Sequence, residues 1–444
     1  MSETETVHVV SKTDNSQHAV VTIENPSRQL PPSSVRVRPL LLSLSSNNLS
    51  YARAGELLHW WDTYPVPSAA PAPYNDQSAW GIVPAWGYAT VLESTTDIAP
   101  GSTLWGFWPT SGLPTELTLI PGEPRGHWFE VSEHRKRLMT YYNRYEVVSE
   151  DNRDNMAWAA AMIWGAGYLL SEYVFSPKGT PVHPFGGAAG LPWTTEDADL
   201  SSAVVVNLAA STKTARSFTY NLLCRPAGSG PLGVLQITSS PEALERAAEQ
   251  QIAKRQLVAG PVKALAYSDV DRAVPWLASL KPSKLVIIEY GARDNALVRL
   301  RELVQAHAAL QDCKVVILHV GGQQKVYAAD ELRDAYESIR ALGMIQSNAS
   351  TTRDTAIEID GPEAFFDGMN QRWKQWLDDR ASTVSDLRLV WGKGVAGTEG
   401  IYGGWERLTK GDVRPEEALP ESPIAGLQEH TPYKCLLWSY ETPV

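Results

Sequence analysis

The sequence predicts an α/β protein in which a β-rich N-terminal region precedes a Rossmann-like, doubly wound parallel sheet. From residue 201 onward, near-continuous apolar strands alternate with helices, a pattern typical of a parallel sheet covered on both faces. The five strands read SSAVVVNLAAS, LGVLQITS, VKALAY, SKLVIIEYG and KVVILHVGG. Between residues 60 and 120, Pro, Gly and Trp are dense and amphipathic helices are absent, which predicts a compact, mostly antiparallel β domain.

The β-rich region opens after a polar lead of about 17 residues. HAVVTIENP and SSVRVRPLLLSLSSNNLS alternate β-branched and polar residues and are predicted strands, as are GYATVLES and STLWGFWP. DNMAWAAAMIWGAGYLLSEYVF has the composition of a helix, and Gly165 and Gly167 predict a break or a close packing contact within it.

Four helices follow the first four strands of the parallel sheet, which we expect to cover about residues 195 to 345. They are STKTARSFTYNLLCRPAG, SPEALERAAEQQIAKR, SDVDRAVPWLASL and ARDNALVRLRELVQAHAAL. Beyond Met344 the alternation stops, leaving a helix, PEAFFDGMNQRWKQWLDD, and two strands, LRLVWGKG and KCLLWSY. Periodicity leaves open whether this last segment caps the parallel sheet or returns to the first domain.

Composition excludes several classes of partner and site. Lys and Arg total 39 against 50 Asp and Glu, a net charge of −11, which argues against nucleic acid and anionic membranes. No apolar run approaches the roughly 20 residues that a membrane span needs. Nine histidines show no metal-binding spacing, so a zinc site is not expected, and no G-x-S-x-G supports a hydrolase.

Cysteine usage and the N-terminus predict a cytoplasmic protein. Cys224, Cys313 and Cys435 are few, scattered and odd in number, as in a reducing compartment. The first residues, MSETETVHVVSKTDNSQ, lack the basic and apolar regions of a secretory signal.

The first turn of the parallel sheet is the predicted phosphate site. Ser211, Thr212, Lys213 and Thr214 pass from strand to helix, where backbone N–H groups, hydroxyls and an ammonium favour a pyrophosphate. The glycines of the G-x-G-x-x-G fingerprint are absent, however. The alternative is a polar helix cap with a solvated lysine.

The second strand ends in Thr238 and Ser239, with no carboxylate to bind an adenosine ribose, which favours NADP over NAD. The alternative is a helix cap before Pro241. Tyr290, after the fourth strand, is the remaining candidate for cofactor binding.

Tryptophan is abundant, with 16 Trp and 17 Tyr against 7 Phe. His59 beside Trp60 and Trp61 suggests an acid or base in an aromatic cleft, although a structural histidine is the commoner case. We expect the tryptophans of the first domain to border the interdomain cleft; packing of a small core is the alternative. They are Trp60, Trp61, Trp80, Trp86, Trp105 and Trp108.

Four segments, SLSSNNLSYARAGEL, WWDTYP, WGIVPAWGYATVLES and STLWGFWP, resemble a domain-of-unknown-function family of the medium-chain dehydrogenase/reductase superfamily, in its quinone-oxidoreductase-like group. The resemblance implies a GroES-like β domain, built from both ends of the chain, against a Rossmann domain. The implied domains are residues 1–165 (GroES-like), 166–345 (Rossmann-like) and 346–444, which returns to the GroES-like domain.

The resemblance also implies an activity, the NADP(H)-dependent reduction of an apolar, unsaturated carbonyl compound of the enone or enoyl type, in secondary metabolism. The zinc-binding Gly-His-Glu segment of the superfamily is replaced here by residues 84–88, Pro-Ala-Trp-Gly-Tyr, so the site is expected to be zinc-independent. Tyr51 is the expected acid or orienting hydroxyl, and Asn48 the group that binds the carbonyl or the nicotinamide. The substrate pocket is expected to comprise Asn47, His59, Trp60, Trp61, Trp86 and Tyr88.

Three of these residues also have a purely structural interpretation. Tyr51 could be a buried tyrosine bonded to the backbone, and Asn47 and Asn48 could form a turn. Two other functions also stay open. The missing glycines fit a non-redox lyase, isomerase or cyclase that has lost its nicotinamide, and the tryptophans fit a ligand-binding or interaction protein. A homodimer is a further hypothesis, resting on KVVILHVGG at a sheet edge.

Overall fold

The computed structural model describes residues 3–25, 28–187, 190 and 192–423, whose strands form three sheets. The first sheet holds β1 (Glu3–Ser11), antiparallel to both β2 (His18–Asn25) and β4 (Trp80–Gly81). The polar lead is therefore a strand, contrary to the prediction. Val7, Val9 and Val10 bury their side chains there, and the Thr and Glu residues before them hid the apolar pattern.

The second sheet closes on itself because β3 pairs with both β5 and β7. Its order is β16-β18-β3-β5-β6-β9-β8-β7, and β17 pairs with β18. A closed sheet has no free edge between these strands, and it buries Phe107 and Trp108 on its two opposite faces. The strands are β3 (Ser34–Leu44), β5 (Pro84–Ser94), β6 (Thr103–Pro109), β7 (Thr115–Pro121), β8 (His127–Glu130), β9 (Arg144–Val148), β16 (Arg388–Leu389), β17 (Gly392–Lys393) and β18 (Glu417–Ser422).

Short helices connect the barrel strands. The residues predicted as the end of a strand, SSNNLS, begin α1 (Ser46–Arg53), because Ser45 caps the helix and Asn48 completes a capping box. The predicted helical break lies at Ile163, which has a φ of 46°, between α3 (Arg153–Met162) and α4 (Gly165–Leu169). A π-helical turn, Leu170–Val174, continues α4, and two further short helices are α2 (Thr140–Asn143) and α5 (Thr195–Ala198).

The third sheet is parallel throughout and has the order β12-β11-β10-β13-β14-β15, as in doubly wound dinucleotide-binding folds. The predicted Rossmann-like sheet is confirmed. Its strands are β10 (Ala203–Leu208), β11 (Gly233–Thr238), β12 (Val262–Ala266), β13 (Lys284–Glu289), β14 (Lys314–His319) and β15 (Ile345–Gln346). Its helices are α6 (Lys213–Leu223), α7 (Pro241–Arg255), α8 (Ala273–Ser279), α9 (Ala296–Ala306) and α10 (Ala329–Ala341).

The segment after β15 contacts both halves of the molecule. Helices α11 (Ala349–Asp360) and α12 (Pro362–Thr383) pack on α4 and α7, whereas β16, β17 and β18 join the barrel and α13 (Ile401–Thr409) lies beside β3. The predicted strand LRLVWGKG is divided into β16 and β17, and the predicted strand KCLLWSY lies outside the described residues. The domain boundaries at 165 and 345 stay a prediction.

β14 is not the outermost strand, since β15 pairs with its last two residues, Leu318 and His319. Its first residues, Lys314 and Val315, stay exposed. Among the helices that the structure describes, none combines the length and apolarity needed to cross a bilayer.

Candidate functional site

A cavity of about 640 Å³ lies between the barrel and the carboxyl edge of the parallel sheet. This edge adjoins the point where the strand order reverses, between β10 and β13, at which open α/β sheets bind ligands. The cavity floor includes Glu289, His319 and Gln346, which end β13, β14 and β15, and the opposite wall includes Tyr51, Trp60 and Trp86 from the barrel side.

Tyr51 and Trp86 form a hydrogen-bonded pair in that wall. The indole Nε1–H of Trp86 donates to the Tyr51 hydroxyl over 3.0 Å, and the Tyr51 proton is left to interact with the neighbouring Tyr142 hydroxyl. Burial raises the pKa of Tyr51 well above its usual value, which keeps the hydroxyl protonated. Helix α1 and strand β5 thus bring together two side chains predicted for the site.

Trp60 lies edge-on to Tyr51, with ring centroids 4.8 Å apart, and edge-on to Tyr142 at 5.5 Å. Its indole Nε1 is buried without a hydrogen-bond partner in the part of the chain that the structure describes. Burial raises the pKa of Tyr142 and the Trp60 N–H opposes this rise, so the N–H lies close to the Tyr142 hydroxyl. Tyr141 extends the aromatic wall against Trp86, with centroids 4.9 Å apart.

Asn47 and Asn48 have different surroundings. The Asn48 amide is bonded at both ends: its Oδ1 accepts from the Ser45 N–H over 2.7 Å, and its Nδ2 donates to the Pro84 carbonyl over 2.9 Å. Asn48 therefore ties α1 to β5, and it is buried and does not line the cavity. Asn47 lines the cavity instead, and its side chain finds no hydrogen-bond partner among the described residues.

Two polar side chains on the floor were missed by the sequence analysis. Glu289 and His319 are register neighbours on β13 and β14, and both line the cavity. Burial raises the pKa of Glu289 to about 7, although the N–H groups of Gly291 and Ala292 donate to its Oε1. A polar residue that ends an apolar parallel strand, as in LVIIE and VVILH, is the sequence signal that could have found them.

His319 is held as a neutral imidazole. Its Nδ1 lies 3.2 Å from Gln346 Oε1, and burial lowers its pKa below the usual value. An amide oxygen only accepts, so Nδ1 carries the proton and Nε2 keeps a lone pair.

The loops after β13 and β14 pack closely where they border the cavity. Gly291 has a φ of 104°, and a Cβ there would lie 2.2 Å from the Gly322 carbonyl oxygen, so only glycine fits. Arg53, at the end of α1, lies over the Tyr327 ring at 4.6 Å and joins the barrel side to the second of these loops.

His59, Trp61 and Tyr88 do not line this cavity. His59 Nδ1 lies 3.1 Å from Asp62 Oδ2, an ion pair when the imidazole is protonated. Trp61 packs on Gly55 and Gly81, the latter in β4. Tyr88 faces the outside of the barrel, where it contacts Trp105 beside α3.

The expectation that the tryptophans border the cleft holds for Trp60 and Trp86, which line the cavity. Trp80 instead contacts Tyr74, and Trp108 is fully buried with its Nε1 donating to the Gly87 carbonyl over 3.0 Å. The expectation is therefore wrong for Trp61, Trp80, Trp105 and Trp108, which do not line the cavity. Trp108 packs against Tyr145 in the barrel core, whereas Trp105 lies with Tyr88 on the outer face of the barrel.

The predicted phosphate turn follows β10. Thr212 caps α6 by accepting from the Ala215 N–H, and the Lys213 ammonium donates to the Glu417 carbonyl over 2.6 Å. Burial lowers the pKa of Lys213 to about 8. The lysine thus joins the turn to β18, a bond that competes with the predicted contact to a pyrophosphate.

The backbone of this turn nevertheless fits a nucleotide phosphate. Ala209 has a φ of 59°, the left-handed conformation that favours glycine, so the turn keeps its shape without glycine. The first N–H groups of α6, at Lys213 and Thr214, have no intrahelical carbonyl to bond, and Thr214 lines the cavity. Ser211 precedes them and is nearly buried.

The predicted adenosine-side residues lie away from the cavity. Thr238 is fully buried and its Oγ1 accepts from the Ser240 N–H, whereas Ser239 is exposed. Tyr290 is buried, and its hydroxyl has no hydrogen-bond partner within the described ranges. Pro241 is the first residue of α7, as the capping alternative predicts.

Within residues 3–423, apart from the few positions that the structure leaves out, His, Cys, Asp and Glu side chains form no group of three or more that could hold a metal ion.

Comparison with known proteins identifies the family. Residues 42–414 match the family model described as "Protein of unknown function (DUF2855)". The chain belongs to the DUF2855 family. The predicted membership in a domain-of-unknown-function family is thereby confirmed. Among curated proteins, none matches the chain at a significant level.

Solved structures resemble this DUF2855 protein at low identity. CurA of Vibrio vulnificus, in complex with NADPH, is 11% identical with a TM-score of 0.48, over 94% of this chain and 99% of that chain. A mutant form of the enoyl thioester reductase of Candida tropicalis is 8% identical with a TM-score of 0.46, over 95% and 100%. Cinnamyl alcohol dehydrogenase of Sorghum bicolor is 12% identical with a TM-score of 0.43, over 97% and 100%. At identities of 8–12% and TM-scores below 0.5, these structures do not establish the activity of this protein.

The DUF2855 protein has the predicted fold class, a GroES-like β domain combined with a Rossmann-like domain. The closed barrel and the sheet order β12-β11-β10-β13-β14-β15 establish it. The site can hold a flat apolar molecule against aromatic rings, with hydroxyl, indole and amide groups at one side and Glu289 and His319 at the other.

Proposed function

We propose that the protein is a zinc-independent, NADP(H)-dependent reductase of an apolar, unsaturated carbonyl compound of the enone or enoyl type. The aromatic cavity carries the proposal, because it reaches from Thr214 at the start of α6 to Tyr51 in the barrel wall. One cleft thus combines a helix start suited to phosphate with a wall suited to an apolar substrate.

The backbone N–H groups at the start of α6 and the Thr214 hydroxyl would hold the pyrophosphate of NADP(H). When bound, this cofactor supplies a hydride. The protein's own contribution is to orient the substrate and exclude water between the aromatic wall and the floor. Arg53 and Tyr327 support that enclosure by joining the two halves of the molecule across the cavity.

Tyr51 is the proposed group that orients the carbonyl and holds a proton at Oη. Trp86 occupies a lone pair of Tyr51 Oη, and a bound carbonyl would take the hydroxyl hydrogen from its contact with Tyr142. Asn47, which lines the cavity, is a further donor for the same carbonyl oxygen. Donors positioned before the reaction stabilise the charge that develops on that oxygen.

The test combines cofactor binding with turnover. Purified protein is titrated with NADPH and NADH while Trp emission is followed, and NADPH oxidation is then measured with 2-cyclohexenone. We expect saturable NADPH binding, and Tyr51→Phe should lower kcat by about 10²-fold while NADPH still binds. Tyr74→Phe, a tyrosine that packs on Trp80 away from the cavity, is the control and should keep full activity.

Failure of both nucleotides to bind at millimolar concentration would reject the reductase and favour the non-redox alternative. A cytoplasmic location, a homodimer and a role in secondary metabolism stay predictions.

A further inference from the structure

Glu289 is a buried carboxyl group that the proposed reduction does not use. It ends β13, lines the cavity and is 8% exposed. Only Oε1 is engaged: the Gly291 N–H donates to it over 2.6 Å, and the Ala292 N–H donates to it as well. These two bonds fix the carboxyl group in one orientation.

The second oxygen, Oε2, accepts no hydrogen bond from the residues that the structure describes, and it is not sealed from solvent. Since Glu289 lines the cavity, a ligand there can reach this oxygen. A carboxylate with one oxygen fixed and the other directed at a ligand is the arrangement that a general base requires.

No charged side chain is among the causes that set the pKa of Glu289. His319, its neighbour on β14, is neutral. Tyr267, from the turn after β12, is affected by Glu289, and also by Arg293 and Asp294 from the loop after β13, which act on it with opposite signs. Arg53 from α1 lies near His319 and acts on its pKa. Burial dominates and raises the pKa of Glu289 to about 7, where a base is effective at neutral pH.

We propose that the cleft carries a second, cofactor-independent activity: Glu289 is the general base that moves a proton on the carbon next to an apolar ketone. The Glu289 carboxylate takes that proton. The C–H electron pair becomes the C=C bond of an enolate, and the carbonyl π pair moves onto oxygen.

Return of the proton completes the reaction without any change of oxidation state. Returned to the same carbon, it regenerates the ketone; returned to the γ-carbon of a β,γ-unsaturated ketone, it gives the conjugated isomer. The substrate class follows from the aromatic walls and from the Asn47 amide, which lines the cavity, makes no side-chain hydrogen bond with the described residues and can donate to a single carbonyl oxygen.

The experiment uses the full chain without any nicotinamide nucleotide. Exchange of the protons next to the carbonyl of 1-tetralone is followed in D₂O by NMR, and conversion of 3-cyclohexen-1-one to 2-cyclohexenone by ultraviolet absorbance. We expect both above the buffer rate, and an about 10²-fold loss in Glu289→Gln. The glutamine oxygen can still accept from Gly291 and Ala292. Glu302→Gln, on an exposed glutamate of α9, is the matched control and should keep the full rate.

Two results would overturn the proposal: a wild-type rate equal to buffer, or a Glu289→Gln rate equal to wild type. If Glu289→Gln does not fold, the pH profile of the wild-type exchange decides. A rise with a midpoint near 7 supports Glu289, and a flat profile rejects it. Because NADPH oxidation is measured separately, loss of this activity and loss of the reductase are distinguishable.

Discussion

Substitution of Gly291 by alanine tests the close packing of the two loops that border the cavity. A Cβ at this position would lie 2.2 Å from the Gly322 oxygen and 2.6 Å from its carbonyl carbon, so one loop has to move. The φ of 104° adds backbone strain of about 1–3 kcal/mol, and the overlap adds about 1–3 kcal/mol more. We therefore expect Gly291→Ala to lower the free energy of unfolding by about 2–6 kcal/mol.

Gly343→Ala is the matched control, since Gly343 has a φ of 62° and nothing lies near its virtual Cβ. Its expected loss is the left-handed strain alone, about 1–2 kcal/mol. Urea unfolding followed by Trp emission measures both variants. Equal losses would show that contact with Gly322 does not matter and would refute the packing argument. Gly291→Ala should also lower the activity assigned to Glu289, because the Gly291 N–H donates to Glu289 Oε1. Gly343→Ala should leave that activity unchanged.

Two further predictions concern stability. Burial lowers the pKa of His8 to about 3, from 6.5 unfolded, so the unfolded chain binds the extra proton and stability falls as pH drops below 6.5. This group should cost about 2 kcal/mol at pH 5, and urea unfolding of His8→Gln between pH 5 and 7 should show a mean slope smaller by about 0.9 kcal/mol per pH unit; an unchanged slope contradicts it. Asn48→Ala removes two buried hydrogen bonds and should cost about 2–4 kcal/mol in the same measurement, whereas Asn47→Ala should cost under about 0.5 kcal/mol. Similar losses in the two Asn variants would contradict their different surroundings.

The strand and helix pattern made the parallel sheet predictable. Its central strands β10, β11 and β13 are buried on both faces, and this leaves near-continuous apolar runs in the sequence. The β-rich region was harder to predict, because β1 mixes Thr, Glu and His with its valines. The composition of the residues after β3 fits a strand, although Ser45 and Asn48 together cap a helix there.

The candidate site was predictable in part. Tyr51, Trp60, Trp86 and Asn47 line the cavity, as the resemblance implied, whereas Asn48 is bonded to Ser45 and Pro84. Adjacent asparagines look equivalent in a sequence. On a helix, however, successive residues point about 100° apart, so one faces the cavity and the other faces β5.

The sequence alone determined which elements form, because local periodicity and capping residues depend on neighbours in the chain. Tertiary structure decided which side chains meet. Glu289 and His319 are 30 residues apart and become neighbours only through the register of β13 and β14. Lys213 reaches Glu417 only because the last segment returns to the barrel. Such contacts depend on the packing of distant elements, which no short stretch of sequence specifies.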